Sequence, residues 1–246
     1  MRDTAQTRPY VVCHMLTSLD GKIDGAYMSD PACTPALTAY GALRGKFSCR
    51  ATIYGTTTMA GSFADGYVGP LPKSTEVYPR EDYIAAAKAE NYIVSADPEG
   101  VLQFHANVIA KKGRPEAHVI EVLTDTVHSD YLSYLRGLGI SYIFAGGRNL
   151  DCKRMLEKLY RLFAIDKLML AGGGLMNWSL AQEHLIDELS LVIAPVADGS
   201  TTAVSIFERA EFLPAGRPVS FRFQSATPMD GGALWLRYQR GDVEMS

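Results

Sequence analysis

With 246 residues, 47% hydrophobic and 21% charged, the chain has the make-up of a globular protein holding one sizeable α/β domain or two small ones. A formal net charge of −3 leaves no basic surplus to neutralise a phosphodiester backbone, which excludes nucleic acid as the main partner. Its four cysteines, Cys13, Cys33, Cys49 and Cys152, form no CxxC pair, so neither a disulfide framework nor thiolate metal spacing is present.

The first nine residues lack the apolar core of a signal peptide, and no apolar run is long enough to span a bilayer. A cytoplasmic chain is therefore expected, with residues 1–9 a flexible tail and 10–246 a single domain. Tyr10–Met15 reads as a first strand and is followed by the polar stretch Thr17–Gly25. Pro35–Ser48 places Leu37, Tyr40, Leu43 and Phe47 at helical spacing. Ala51–Gly55 is a second strand leading into Thr56, Thr57 and Thr58, and Gly61–Pro79 is a long Gly- and Pro-rich loop. Glu81–Lys88 is expected as a short helix and Asn91–Ser95 as a strand. His118–Leu123 is another strand, and Ser129–Leu138 an amphipathic helix capped by Ser129 or Asp130. Ser141–Ala145 precedes Gly146 and Gly147, and Asp151–Phe163 is a helix. Lys167–Ala171 runs into Gly172, Gly173 and Gly174 and then a helix-like stretch, Leu175–Ala181. Glu188–Pro195 is a further strand. Ser220–Ser225 and Ala233–Tyr238 form a hairpin around Met229–Gly232.

Strands alternating with helices predict a three-layer α/β/α architecture, with a mostly parallel central sheet and a C-terminal antiparallel hairpin. Ligands of such sheets bind at the carboxyl ends of the strands, where Gly55, Gly146–Gly147 and Gly172–Gly174 are expected. The glycine triplet is either a tight turn or a phosphate cradle formed by a helix start. Gly55 with Thr56–Thr58 reads as a phosphate site or as simple capping by threonine. Ser18, Asp20 and Lys22 gather hydroxyl, carboxylate and ammonium groups just after the first strand. They suit substrate polarisation or proton relay, and equally a polar Asp-Gly turn. His14 lies within a strand and reads as a satisfied core histidine, while His105, His118, His128 and His184 read as surface residues. No GxSxG, HExxH or Walker pattern occurs, so serine-hydrolase, zinc-protease and P-loop chemistry find no support.

The order of these pieces resembles the reductase domain of riboflavin biosynthesis, a family with the dihydrofolate-reductase-like fold. The resemblance rests on Ser18-Leu19-Asp20-Gly21-Lys22-Ile23, on Ile53–Thr58, and on Leu168–Gly199 with its glycine triplet, Leu185-Ile186-Asp187-Glu188-Leu189 and Ala194–Gly199. No zinc-deaminase half accompanies it, so a stand-alone reductase is expected. The resemblance implies an activity similar to 5-amino-6-(5-phosphoribosylamino)uracil reductase, in which NADPH reduces the ribosyl group of a pyrimidine phosphate to ribityl. A homodimer is implied as well. Gly172, Gly173, Gly174 and Leu175 would hold the pyrophosphate, Gly55, Thr56, Thr57 and Thr58 the adenosine-side phosphates, and Ser95 would lie near the 2′-phosphate. Lys22 would polarise the substrate, with Ser18 beside it and Asp20 ordering the loop.

The substrate half departs from the family pattern. Ala171 stands where an acid usually precedes the glycines, and the D-x-P-x-L-T-x-R run is replaced by Met59–Val68, leaving Asp65 as its counterpart. Arg44, Lys46 or Arg50 are the candidate phosphate ligands. Two alternatives stay open: reduction of another heterocycle, and NADPH sensing without catalysis. Dihydrofolate reduction itself is disfavoured because Pro31–Arg50 carries no Asp or Glu to hold a pterin ring.

Overall fold

The computed structural model describes residues 6–209, 211 and 216–241; residues 1–5 of the expected tail and 242–246 of the expected domain lie outside them. In chain order the elements are β1 (Tyr10–Thr17), α1 (Thr34–Lys46), β2 (Ala51–Gly55), α2 (Thr56–Ser62), β3 (Tyr92–Ala96), β4 (Val108–Ile109), β5 (Ala117–Leu123), α3 (Ser129–Leu138), β6 (Ser141–Phe144), α4 (Cys152–Phe163), β7 (Lys167–Leu170), α5 (Gly174–Gln182), β8 (Glu188–Ile193), β9 (Phe221–Pro228) and β10 (Leu234–Arg240). Short 3-10 turns precede α1 and join β9 to β10.

Two compact units divide the chain. The first is built on Arg50–Leu168; the second combines Tyr10–Cys49 with Met169–Ser246, and the division falls inside β7. In the first unit β2, β3, β5 and β6 run parallel, and β4 adds a short antiparallel pair to β5. These strands are near-continuous apolar runs because both faces are covered: every residue of β3 and β6 is buried. Helix α4 starts because Asp151 accepts the Arg154 N–H at 2.8 Å. It buries Met155, Leu156, Leu159 and Phe163 on one stripe and ends at Ala164 in the left-handed region.

In the second unit β1 pairs parallel with β8, and β10 joins β8 and β9 antiparallel. Beneath them Leu16, Tyr27, Cys33, Ala36, Leu43, Val192 and Ala194 form a core cluster. The mostly parallel α/β arrangement and the closing hairpin agree with the sequence expectation.

Three local expectations are corrected. Glu81–Lys88 is not helical. It finds tertiary partners instead: the Asp82 side chain accepts the Phe144 N–H at 2.9 Å and pairs with Lys158 at 2.7 Å, and the Tyr83 backbone exchanges two hydrogen bonds with that of Tyr142. Helix α3 is capped by His128, whose Nδ1 accepts the Asp130 N–H, rather than by Ser129 or Asp130. His118 is buried, with Nε2 3.0 Å from Ser141 Oγ. The two-residue strand β4 carries too few residues for any periodicity to show.

Candidate active site

The residues that follow β1 close on themselves. Ser18 Oγ donates to Asp20 Oδ1 at 2.6 Å and accepts the Lys22 N–H at 2.9 Å. Asp20 also accepts the Asp198 N–H (3.0 Å) and the Gly199 N–H (2.9 Å). The Ser18 hydroxyl first, and then these backbone donors, hold its carboxyl well below the usual carboxylate range. Asp20 therefore stays ionised and fully engaged, a tie between the loop after β1 and the loop after β8. Lys22 Nζ donates to Ala203 O at 3.1 Å and Ser205 Oγ at 3.3 Å. An ammonium has three protons, so one remains for a ligand.

The glycine triplet divides its labour. Gly173 is the N-cap of α5 with φ 56 and ψ 135, and no side chain caps the helix. The N–H groups of that first turn lack intrahelical partners, a ready anion cradle. A Cβ on Gly173 would meet nothing within 4 Å, so this residue needs glycine for its positive φ and leaves open space before it. Gly174 differs. A Cβ there would run into the Ser205 carbonyl and the Glu208 side chain. Glycine is required at this position by the protein's own backbone rather than by a ligand.

That backbone is a strap, residues 203–208. It bonds to the loop after β1 through Ile23 N–Val204 O (2.9 Å) and Ile206 N–Gly21 O (3.1 Å). To the glycine turn it bonds through Glu208 N–Gly174 O (3.1 Å), and Asn177 Nδ2 of α5 donates to Ile206 O at 2.8 Å. The structure thus joins Ser18, Asp20, Lys22 and Gly174 in one hydrogen-bonded assembly. Ala171 is 9% exposed at the end of β7, and Leu175 is 47% exposed.

In the other unit Gly55 is the N-cap of α2 without a side-chain bond. Thr56 turns inward, its Oγ1 3.0 Å from Ala96 O and 3.3 Å from Asp97 Oδ1. Thr57 is exposed and Thr58 half-buried. Ser95 is fully buried and sits opposite Glu121 in the β3–β5 register. Among the described residues no well-aligned hydrogen bond reaches the Ser95 hydroxyl or the Glu121 carboxyl oxygens, and the Ser95 hydroxyl beside Glu121 stabilises its ionised form only weakly. Burial, and then the Asp97 charge, push the Glu121 carboxyl well above its ordinary value. Asp97 accepts the Val101 and Leu102 N–H groups at 2.7 and 3.0 Å. Sequence reasoning passed over Glu121 and Asp97, although an acid inside His118-Val119-Ile120-Glu121-Val122-Leu123 is itself a signal.

Of the candidate substrate residues, Asp65 pairs with His105 at 2.7 Å on the surface of the first unit. Arg44 and Lys46 occupy the last turn of α1, with Lys46 Nζ 5.4 Å from the Trp235 ring. The Arg44 charge acts on His14, which stacks on Tyr40, and neither Arg44 nor Lys46 shares a contact with Lys22, whose ammonium meets Ala203 O and Ser205 Oγ. His14 is the satisfied core histidine expected. Ser190 Oγ accepts the Trp235 Nε1–H at 2.8 Å and donates to His14 Nδ1 at 2.9 Å, and His14 Nε2–H donates to Tyr40 O at 3.0 Å.

A parallel sheet closed by an antiparallel hairpin, with a glycine turn opening a helix and a charged loop after the first strand, defines an α/β protein of the dihydrofolate-reductase-like class. The chain belongs to the RibD C-terminal domain family, whose model matches residues 9–234. It is 33% identical over 94 residues to the 2,5-diamino-6-ribosylamino-4(3H)-pyrimidinone 5′-phosphate reductase of Aquifex aeolicus, a match covering 38% of this chain and 40% of that protein. To the Methanothermobacter thermautotrophicus protein of the same name it is 28% identical over 203 residues, covering 82% and 84%. Among solved structures, a pyrimidine reductase-like protein from Corynebacterium diphtheriae superposes with a TM-score of 0.69 at 15% identity, covering 96% of this chain and 93% of that one. Acinetobacter baumannii RibD gives 0.60 at 18%, and there the chain spans 96% of itself but only 59% of the other protein. At such identities the structures speak to the fold.

Proposed function

We propose that the chain, acting as a homodimer, is an NADPH-dependent reductase of a pyrimidine ribosylamino phosphate, converting the ribosyl group to ribityl. The names of the two relatives favour the diaminopyrimidinone over the uracil expected from the motifs, and both belong in the assay. The observation that carries the reading is the Lys22 ammonium, fixed by two acceptors with its third proton free, in the same bonded assembly as the uncapped start of α5.

The donors of the second unit suit a pyrophosphate, through the first-turn N–H groups of α5 and the open space at Gly173. Gly55 and the exposed Thr57 of the first unit are assigned to the adenosine side by the family resemblance alone. When bound, NADPH supplies the hydride. The residues of the chain do the rest. Lys22 directs a proton at the sugar oxygen and polarises the carbon it is attached to, while Asp20 keeps the loop in register without exchanging a proton. Ser95 and the neighbouring Glu121 are buried within the first unit, so a role for Ser95 near the 2′-phosphate would act through the backbone around it.

The test pairs binding with turnover. NADPH affinity is read by fluorescence, and its oxidation is followed with the diaminopyrimidinone phosphate, the uracil phosphate and dihydrofolate. Lys22→Ala is expected to keep NADPH affinity and to lose roughly a hundredfold or more in kcat. Absence of NADPH binding refutes the reading, and binding without turnover of any of the three moves the chain to a sensor or another substrate.

A further inference from the structure

We propose that Asn177 is a positioning residue for Lys22, acting through the strap 203–208; the proposal rests on the role given to Lys22 above.

The reasoning starts with what holds the ammonium. Both acceptors of Lys22 Nζ, Ala203 O and Ser205 Oγ, belong to the strap. A flexible four-carbon stem is placed only as well as its acceptors are placed. The strap forms no helix, and its only strand-type contact is the single bridge between Lys22 and Ser205. Its geometry is set by bonds from outside. Asn177 Nδ2 donates to Ile206 O at 2.8 Å, and the N–H of the same Ile206 donates to Gly21 O at 3.1 Å, one residue before Lys22. Glu208 completes the clamp: its Oε1 accepts the Ser205 N–H at 2.6 Å while its own N–H donates to Gly174 O at 3.1 Å.

Asn177 is fully buried, and its Oδ1 has no partner among the described residues. A buried amide that leaves its carbonyl unsatisfied is a costly choice for a helix face, where a leucine would pack without loss. The single bond it makes goes to the strap. Asn177 lies three residues beyond Gly174, so its helical turn is the one that begins at the glycine cradle. Ammonium and cradle are therefore spaced by one short chain of bonds, Gly174–Asn177–Ile206–Gly21–Lys22, and a shift at either end displaces the other. Reactions that depend on near-contact geometry lose rate steeply with sub-ångström to ångström displacement.

Asn177→Leu removes the donor and Asn177→Ala removes it without adding bulk; Ser205→Ala removes one acceptor; Ser205→Thr keeps it. The first readout needs no substrate. Acetylation of Lys22 by acetic anhydride, followed by mass spectrometry, is expected to quicken about threefold or more in Asn177→Leu and Ser205→Ala as the ammonium is released, with other lysines unchanged and Ser205→Thr like the parent. The second readout is kinetic. Both variants are expected to lose about tenfold in kcat while the NADPH Kd stays within about twofold, and neither is expected to lose more in a Lys22→Ala background. An unchanged Lys22 labelling rate in folded Asn177→Leu overturns the proposal, as does faster labelling with kcat intact. If Asn177→Leu fails to fold, Asn177→Ala is read in its place with the same expected and overturning results. If the parent chain turns over no pyrimidine phosphate, the functional reading fails while the labelling still settles whether Asn177 places Lys22.

Discussion

At the scale of single residues, what the sequence made legible was local and what it hid was distant. Ser18, Asp20 and Lys22 lie within five positions of one another, so their bonding as a turn follows from spacing alone. Their partners Asp198, Ala203 and Ser205 are about 180 positions away, and no periodicity connects them. Glycine is ambiguous for a similar reason, since the residue type gives permission without stating who uses it. Gly173 uses its positive φ; Gly174 uses its missing Cβ against Ser205 and Glu208. Gly174→Ala is accordingly expected to push the strap outward and to cost about 1–3 kcal/mol of stability by overpacking. Thermal unfolding monitored by circular dichroism checks this, and a variant as stable as the parent would show that the strap yields freely.

At the scale of elements, periodic stretches were read well and short or tertiary-driven ones were not. The apolar stripe of α4 and its Asp151 cap stand in the sequence as they stand in the fold. Asp151→Ala is expected to cost about 1 kcal/mol, visible as a lower denaturant midpoint at unchanged m-value. The segment Glu81–Lys88 misleads because three alanines carry high helix propensity, while Asp82 and Tyr83 are bound to Phe144 and Tyr142. Propensity is worth tenths of a kcal/mol per residue and loses to a half-buried ion pair with backbone bonds attached. His128 as the cap of α3 is of the same kind. An imidazole is an uncommon cap, and only the placed ring shows that Nδ1 faces the Asp130 N–H.

At the scale of the whole molecule, two buried groups give its stability opposite dependences on pH. Desolvation lowers the His14 pKa from 6.5 to about 4. The unfolded chain takes up that proton first, so stability is lost as pH falls from about 6.5 towards 4, by on the order of 3 kcal/mol at the limit. The Glu121 carboxyl is raised above its ordinary 4.5, so its contribution is complete below pH 4.5 and is lost as pH rises through the folded value. Asp97 is raised in the same direction by its burial. Glu121→Gln is therefore expected to gain stability relative to the parent as pH rises from 4.5 to 8, measured by urea unfolding at several pH values. A constant difference across that range would mean that Glu121 is ionised in the folded chain. The burial of His14 was expected from its place in a strand; Glu121 was not singled out, because a letter in a strand does not state which side chains close over it.

The self-imposed requirement for Gly174 reaches beyond this chain. A glycine kept because the protein's own carbonyl lies against it is under folding selection, whatever the turn binds. A descendant that no longer bound a ligand there would still retain that letter, and Gly173, with its positive φ, would persist beside it. The glycine signature is thus a fossil able to outlive any use; on the proposed function, loss of activity should be sought first at Lys22 and Ser205, where no comparable backbone demand holds the residue.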